Sequence, residues 1–144
     1  MNLTEQKFWK QIKESLPGDV CRVENYTDDG MPDINGTCVL DYWIELKVCD
    51  NKAKTREVTK MLRDSQIVWH LRRGKQGALI FVIVRYPRDI MVYKFVVGLG
   101  YQEEMAIPYA SGFYLRELTR YIIKTITERV NSYGKSLHCT RTGG

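Results

Sequence analysis

The stretch Ala78-Leu-Ile-Phe-Val-Ile-Val84 decides the fold class of this 144-residue chain. It is apolar throughout, yet far shorter than the roughly 20 residues that cross a bilayer. A continuous apolar run of this length, rich in branched and aromatic side chains, is typical of a strand that is buried on both faces of a sheet. Helices must then cover both faces, so we expect an α/β domain.

Segments with helical spacing of apolar residues lie on either side of this strand. We predict helices over Thr4 to Leu16, about Val58 to Arg73 and Leu115 to Val130. Further strands are predicted over Val20 to Tyr26, Asp33 to Gly36, Val39 to Cys49 and Ile90 to Val97. Asn35-Gly36 is a hairpin-turn signal between two of these strands. Residues 98–112 predict a glycine-rich break, and the polar tail from Asn131 is expected to be loose.

The domain organisation follows from this order of elements. No linker, repeat or low-complexity segment interrupts the chain, so one domain is expected. Residues 1–97 would form its core, and residues 98–144 would form a C-terminal helical extension packed on the same domain.

Acidic and basic side chains are unevenly distributed along the chain. Residues 1–50 contain five Lys and Arg against ten Asp and Glu, whereas residues 51–144 contain seventeen against seven. Eight of the basic residues fall between Asn51 and Lys75. The acidic part could hold a metal ion, and the basic part could bind a polyanion. The alternative for the basic part is a solvated helix and loop.

The N-terminal segment and the cysteines indicate the compartment. The first ten residues lack the apolar region and the small-residue cleavage site of a secretory signal, so we expect an intracellular protein that is not secreted. The four cysteines form no C-x-x-C pair and are expected to be buried thiols rather than zinc ligands or disulfides.

Glu5 breaks the pattern of the first predicted helix. On a helical wheel it lies at the centre of the apolar arc that contains Phe8 and Ile12, whereas Glu14 falls on the opposite face. Burial of a carboxylate costs several kcal/mol unless a cation or hydrogen bonds compensate. Each hydrogen bond that is missing contributes on the order of 1–3 kcal/mol to that cost. Glu5 is therefore either a functional acid or, with Asn2, part of a helix-capping box.

Glu45 and Lys47 project from the same face of a predicted strand. In Tyr42 to Val48, period-2 alternation places Ile44, Leu46 and Val48 on one face and Trp43, Glu45 and Lys47 on the other. Twelve residues before Glu45, the turn Gly30-Met-Pro-Asp33 places a second carboxylate at the start of the preceding strand. Taken alone, the first feature is an ordinary surface ion pair and the second an ordinary turn.

Together these residues resemble a nuclease motif. Pro32-Asp33, eleven residues and then Glu45-Leu46-Lys47 is similar to the pattern of the PD-(D/E)xK nucleases. With an acid in the first helix and Gln66 downstream, it resembles the archaeal-type Holliday junction resolvases and the VRR-NUC nucleases over roughly Thr4 to Val84. The resemblance implies a restriction-endonuclease-like core, with a central mixed β-sheet flanked by helices and a C-terminal helix.

The resemblance also implies roles for individual residues. Asp33 and Glu45 would hold Mg²⁺ or Mn²⁺, with Glu5 as a third acid and the carbonyl of Leu46 as a backbone ligand. Lys47 would orient or deprotonate the attacking water, and Gln66 would hold Lys47 or the water in place.

The DNA contacts are predicted mainly from the basic segment. The phosphate-binding residues proposed there and on the first strand are Arg22, Lys52, Lys54, Arg56, Lys60, Arg72 and Arg73. Arg22 could instead pair with Glu24 or Asp19. His70 and His138 have no metal-binding partners at useful spacing, and Tyr101 could stack on bases or pack in a dimer.

These observations predict a metal-dependent DNA endonuclease. The resemblance implies a branched DNA substrate and a homodimer, because two symmetric cuts need two active sites. Ile67 and Leu71 lie off the main apolar stripe of their helix and could serve a dimer contact. The alternatives are a restriction-type or nicking nuclease that reads sequence, and a DNA-binding module that has the nuclease fold without turnover.

Overall fold

The computed structural model describes residues 3–23, 29–50 and 57–143. The helices are α1 (Leu3–Ile12), α2 (Asp64–Lys75) and α3 (Tyr114–Gly143). The strands are β1 (Asp19–Arg22), β2 (Ile34–Cys38), β3 (Leu40–Val48), β4 (Leu79–Arg85), β5 (Asp89–Val96) and β6 (Gly100–Pro108). Within these ranges the strands form one six-stranded sheet in chain order. Strands β3 and β4 are parallel, and the other neighbouring pairs are antiparallel.

Strand β4 is apolar on both of its faces, and helices cover both faces of the sheet and bury its side chains. Phe81 and Ile83 face α1 and α3, where they share a buried cluster with residues such as Phe8 and Ile122. Ile80 faces α2 and packs with Trp69 and Phe95 in a second cluster. The predicted strand buried on both faces is confirmed, as is a central mixed sheet flanked by helices with a C-terminal helix.

Strand β6 was not predicted. Its sequence carries Glu103 and Glu104 on exposed positions and has Gly100 and Pro108 at its ends, a composition that argues against a strand. In the described part of the chain β6 pairs only with β5, so it is an edge strand, and edge strands tolerate such charges. The predicted break over residues 98–112 is therefore a short turn followed by a strand.

The predicted hairpin turn at Asn35-Gly36 is wrong. Both residues lie inside β2, where Asn35 pairs with Trp43 and Gly36 with Tyr42. The chain reverses instead at Val39, which has a positive φ of 69°. Glycine is needed at position 36 because an added Cβ would lie 2.1 Å from the ring of Tyr42. That ring crosses the strand, and its hydroxyl donates a hydrogen bond to the carbonyl of Pro17 at 2.6 Å.

Two helix boundaries also differ from prediction. The segment predicted to be helical from Val58 forms a short 3-10 helix at Val58–Lys60, and α2 begins only at Asp64. The side chain of Gln66 stabilises this start, because the backbone N–H of Arg63 donates to Gln66 Oε1 at 2.9 Å. At the other end of the chain, α3 continues past Val130 to Gly143.

The cysteines are less buried than predicted. Cys21 is exposed on β1, and Cys38 and Cys49 are half-buried. None of these three forms a disulfide within the described ranges. In the same ranges, no helix combines the length and the apolar character that a membrane span requires.

Candidate active site

Asp33 and Glu45 face each other at the end of the β2–β3 ladder. The register pairs Ile34 with Ile44, and its continuation by one residue places Asp33 opposite Glu45, consistent with the electrostatic effect of Asp33 on Glu45. Cross-strand neighbours share a face of the sheet, with Cβ atoms about 5 Å apart. Asp33 precedes β2, and its Oδ2 accepts a hydrogen bond from the backbone N–H of Leu46 at 3.0 Å. The two carboxylates predicted from the motif are therefore close together.

Gln66 fixes one oxygen of Glu45. Its Nε2 donates to Glu45 Oε1 at 2.8 Å, and both side chains are almost fully buried, with 3% and 2% exposure. Because Gln66 Oε1 also accepts from the N–H of Arg63, the amide connects the first turn of α2 to the carboxylate. The resemblance implied that Gln66 would hold Lys47 or a water, whereas the hydrogen bond observed for its side-chain nitrogen goes to Glu45.

The turn that carries Asp33 packs against the same end of α2. Gly30 has a φ of 97°, and a Cβ added there would lie 2.1 Å from the carbonyl oxygen of Ser65. Only glycine accommodates both this backbone conformation and this close approach. Pro32, two residues on, is buried. The close packing of this turn on the start of α2 therefore fixes the position of Asp33 relative to Gln66.

The charges around Glu45 oppose one another. Burial raises the pKa of the Glu45 carboxyl well above its usual range, the neighbouring Asp33 carboxylate raises it further, and the Lys47 ammonium lowers it. Lys47 Nζ lies 3.6 Å from Glu45 Oε1 and its side chain is 17% exposed. The second oxygen of Glu45, Oε2, is buried and accepts no hydrogen bond from any described residue. A buried carboxylate with one unpartnered oxygen is suited to bind a cation.

Glu5 lies near this group, on the first turn of α1. It is half-buried, and its charge adds to the rise in the pKa of Glu45. Within residues 3–23, 29–50 and 57–143, however, no three His, Cys, Asp or Glu side chains form a group that could hold a metal by themselves. A metal here would depend on one or two carboxylates, a backbone carbonyl and water, which is the usual coordination of Mg²⁺.

His70 and Tyr101 line the other side of the site and were not predicted to be part of it. The fully buried His70 lies one turn after Gln66 on α2, and its Nδ1 is hydrogen-bonded to the hydroxyl of Tyr101 on β6. Burial and the charge of Lys47 lower the pKa of His70 to about 4, so its ring is neutral at physiological pH. Burial and the charge of Glu45 raise the pKa of the Tyr101 hydroxyl. The four-residue spacing from Gln66 could have indicated His70. Tyr101 was considered only as a ring that could stack on bases or pack in a dimer, because β6 was missed.

The predicted phosphate-binding residues that the structure describes do not all lie on one surface. Arg22 pairs with Ile34 in the ladder and so lies on the opposite sheet face from Glu45. Lys60 is exposed and pairs with Glu57 at 3.1 Å. Arg72 and Arg73 are exposed in the last turn of α2. The remaining predicted residues, Lys52, Lys54 and Arg56, lie outside the described residues.

Comparison with known proteins yields a distant structural likeness. No protein-family model matches the chain. No curated protein is significantly similar to it in sequence. The solved structures that match include Archaeoglobus fulgidus Hjc, a Holliday junction resolvase from an archaeal hyperthermophile. The two chains are 20% identical, the alignment covers 62% of this chain and 74% of that one, and the TM-score is 0.39.

Proposed function

We propose that the chain is a metal-dependent DNA endonuclease that hydrolyses phosphodiester bonds and acts on branched DNA. The opposed pair Asp33 and Glu45, next to the Lys47 ammonium, is the observation that carries this proposal. Two carboxylates beside one ammonium provide a cation site and a positive group for the phosphate. The resemblance of Pro32-Asp33 and Glu45-x-Lys47 to the PD-(D/E)xK pattern supports the same reaction.

The residues at this position fit a divalent cation. Glu45 Oε2 has no hydrogen-bond partner among the described residues, and the raised pKa of Glu45 reflects a buried charge that a cation would stabilise. Asp33 and Glu45 would hold the cation, with the Leu46 carbonyl and Glu5 as further oxygen donors. Oxygen donors of this kind favour Mg²⁺ or Mn²⁺. When bound, the cation would lower the pKa of the attacking water and polarise the scissile phosphate.

The other side chains would position the reacting groups. Lys47 is close enough to Glu45 to share its site, at 3.6 Å, and would orient the water and neutralise charge on the phosphate oxygens. Gln66 is a positioning residue, because it occupies Glu45 Oε1 and leaves Oε2 for the cation. His70 stays neutral beside Lys47 and so adds no competing positive charge.

The substrate and the oligomeric state are parts of the same proposal. Exposed Arg72 and Arg73, with the basic segment before α2, would bind DNA phosphates, which makes binding strongly dependent on salt. A four-way junction has two symmetric strands to cut, so we include a homodimer. Of the two residues suggested for a dimer contact, Leu71 is 43% exposed, whereas Ile67 packs against a buried cluster of the same protomer.

A cleavage assay tests this function. Labelled four-way junction, flap and linear duplex DNA are incubated with Mg²⁺, Mn²⁺ or EDTA. Asp33→Asn, Glu45→Gln and Lys47→Met should each abolish cleavage, whereas Glu103→Gln, at an exposed position of β6, should not. Undiminished cleavage by Asp33→Asn and Glu45→Gln would show that the proposed site is not the active site. Cleavage that follows sequence on linear duplex would favour a restriction-type enzyme, and binding without product in any metal would favour a non-catalytic module.

Metal binding has a readout that is independent of activity. A cation that binds only the folded protein raises the free energy of unfolding by about 2.7 kcal/mol at a hundred times its Kd. Mg²⁺ should therefore raise the Tm of the wild type and leave that of Asp33→Asn unchanged. Glu5→Gln against the exposed Glu14→Gln distinguishes a metal-binding acid from a helix cap, since only the first should reduce the Mg²⁺-induced rise in Tm.

A further inference from the structure

A second cavity lies beyond the proposed site, at the ends of β3 and β4 that begin those strands. It has a volume of about 310 Å³, within the usual range for small-ligand pockets. Its lining combines two aromatic rings and two guanidinium groups, from Trp43, Tyr133, Arg73 and Arg129, with Asp41, Gly77 and aliphatic residues such as Leu40 and Leu79. None of the roles proposed above uses this cavity, except that Arg73 is a predicted phosphate-binding residue.

Its walls are fixed by packing. Trp43 packs edge-on against Trp69, with ring centroids 5.2 Å apart, and the guanidinium of Arg73 lies over Trp69 at 5.3 Å. On the opposite wall, Arg129 Nη1 donates to the carbonyl of Gly77 at 2.9 Å. This hydrogen bond uses one of the five donors of Arg129, so the guanidinium is held at the cavity while other donors remain. The cavity is therefore preorganised.

Gly77 and Asp41 complete the lining. Gly77 has a φ of 95°, a backbone conformation that favours glycine, and a Cβ added there would lie 3.9 Å from the hydroxyl of Tyr133. Tyr133 itself is 45% exposed. Asp41 is oriented by the hydroxyl of Thr37, which donates to it at 2.6 Å, and can accept from the N–H of a base edge.

We propose that this cavity binds one unpaired nucleotide of the DNA strand that enters the active site. An aromatic ring accepts any base by stacking, and guanidinium groups pair with phosphate. The last turn of α2 adds Arg72 and Lys75 to the positive charge near Arg73. Trp43, which lines the cavity, and Glu45 are alternate residues on one face of β3, about 7 Å apart along the strand. The inference rests on the proposed nuclease function and specifies its substrate as DNA with a single-stranded segment beside the cleaved bond.

Binding without cleavage tests it. Wild type and variants are titrated in EDTA against fluorescein-labelled oligodeoxythymidine and a blunt duplex, with dTMP as a competitor. Tyr133→Ala should weaken oligodeoxythymidine binding by about 5- to 150-fold, the range for one stacked base, and Tyr133→Phe should restore it. Arg129→Gln should weaken it as well. Phe113→Ala and Arg116→Gln are the matched controls, because these residues form an exposed aromatic–arginine pair at the start of α3.

The outcomes separate this proposal from the nuclease function. Oligodeoxythymidine binding that Tyr133→Ala leaves unchanged, or weakens no more than duplex binding, overturns the cavity proposal even if junctions are cleaved. Displacement of the oligonucleotide by dTMP at equal affinity also overturns it, since the cavity would then take a free nucleotide. Selective loss of single-strand binding supports the cavity even if no DNA is cut, in which case the nuclease function alone fails.

Discussion

The buried hydrogen bond between Gln66 and Glu45 leads to a quantitative prediction. Gln66→Met keeps the length of the side chain and removes its amide. Glu45 Oε1 then loses the donor at 2.8 Å and retains Lys47 at 3.6 Å. A buried acceptor without its partner costs about 1–3 kcal/mol, and more when it is charged. The N–H of Arg63 also loses its acceptor, and loss of a cap costs about 1 kcal/mol.

The two losses together lower the free energy of unfolding by about 2–4 kcal/mol. For a domain of this size that is a fall in Tm of roughly 6–12 °C. Equilibrium urea unfolding and differential scanning calorimetry measure it. Gln76→Met is the control, since Gln76 is an exposed residue at the end of the same helix.

A pH comparison identifies the cause of the loss. Removing the amide destabilises the charged form of Glu45 more than the protonated form, so the variant should lose more stability at pH 8 than at pH 5. An equal loss of stability at pH 8 and pH 5, or a loss no greater than that of Gln76→Met, would contradict this prediction. In either case Gln66 would not be holding an ionised Glu45.

Three further predictions follow from the same packing and charges. Glu45→Gln should stabilise the protein relative to wild type, and increasingly so as pH rises, because the raised pKa of Glu45 makes the folded wild type bind more protons than its unfolded state. Urea titrations at several pH values measure this, and a stability difference that does not change with pH would contradict it. The free energy of unfolding of His70→Leu should rise by about 3 kcal/mol relative to that of the wild type between pH 7 and pH 4, because the lowered pKa of about 4 makes the wild type lose stability as pH falls below 6.5. A difference between the two proteins that stays the same over this range would contradict a buried neutral ring. Gly36→Ala should lower the free energy of unfolding by about 3 kcal/mol because it displaces the Tyr42 ring, whereas Gly98→Ala, where nothing lies within 4 Å, should lower it by about 1 kcal/mol. Equal melting temperatures for the two variants would argue against the close approach of Gly36 to Tyr42.

Much of the fold could be predicted because the relevant signals are local. The apolar run of β4 required helices on both faces, and alternation in β3 correctly separated Ile44 and Leu46 from Glu45 and Lys47. Strand β6 could not be predicted, because its pairing with β5 outweighs its own composition. The Asn35-Gly36 error has a similar origin: the glycine accommodates Tyr42 from the next strand, a contact that sequence spacing does not reveal.

The candidate site divides in the same way. The motif placed Asp33, Glu45 and Lys47 in one region, and the register brings the two acids face to face. The contact between Gln66 and Glu45 depends on how α2 lies across the sheet, so the sequence indicated the residue but not its partner. Tyr101 lies on the strand that was missed. Residues that reach a site from a distant element are predictable only once the topology is known.

Asp33 shows why the two acids must lie at the end of the ladder rather than within it. In a regular continuation of the ladder Leu46 would lie opposite Pro32, and a backbone carbonyl there would accept the N–H of Leu46. Because β2 begins at Ile34, the N–H of Leu46 is bound by the Asp33 carboxylate instead. That bond fixes Oδ2 and orients the carboxylate toward Glu45, at the cost of bringing two acids together. Burial raises the pKa of Glu45 most, the Asp33 carboxylate raises it further, and the Lys47 ammonium offsets only part of that rise. A buried acid with a raised pKa, held between the Gly30 turn on one side and Gln66 on the other, is the physical ground on which these residues are a candidate functional site.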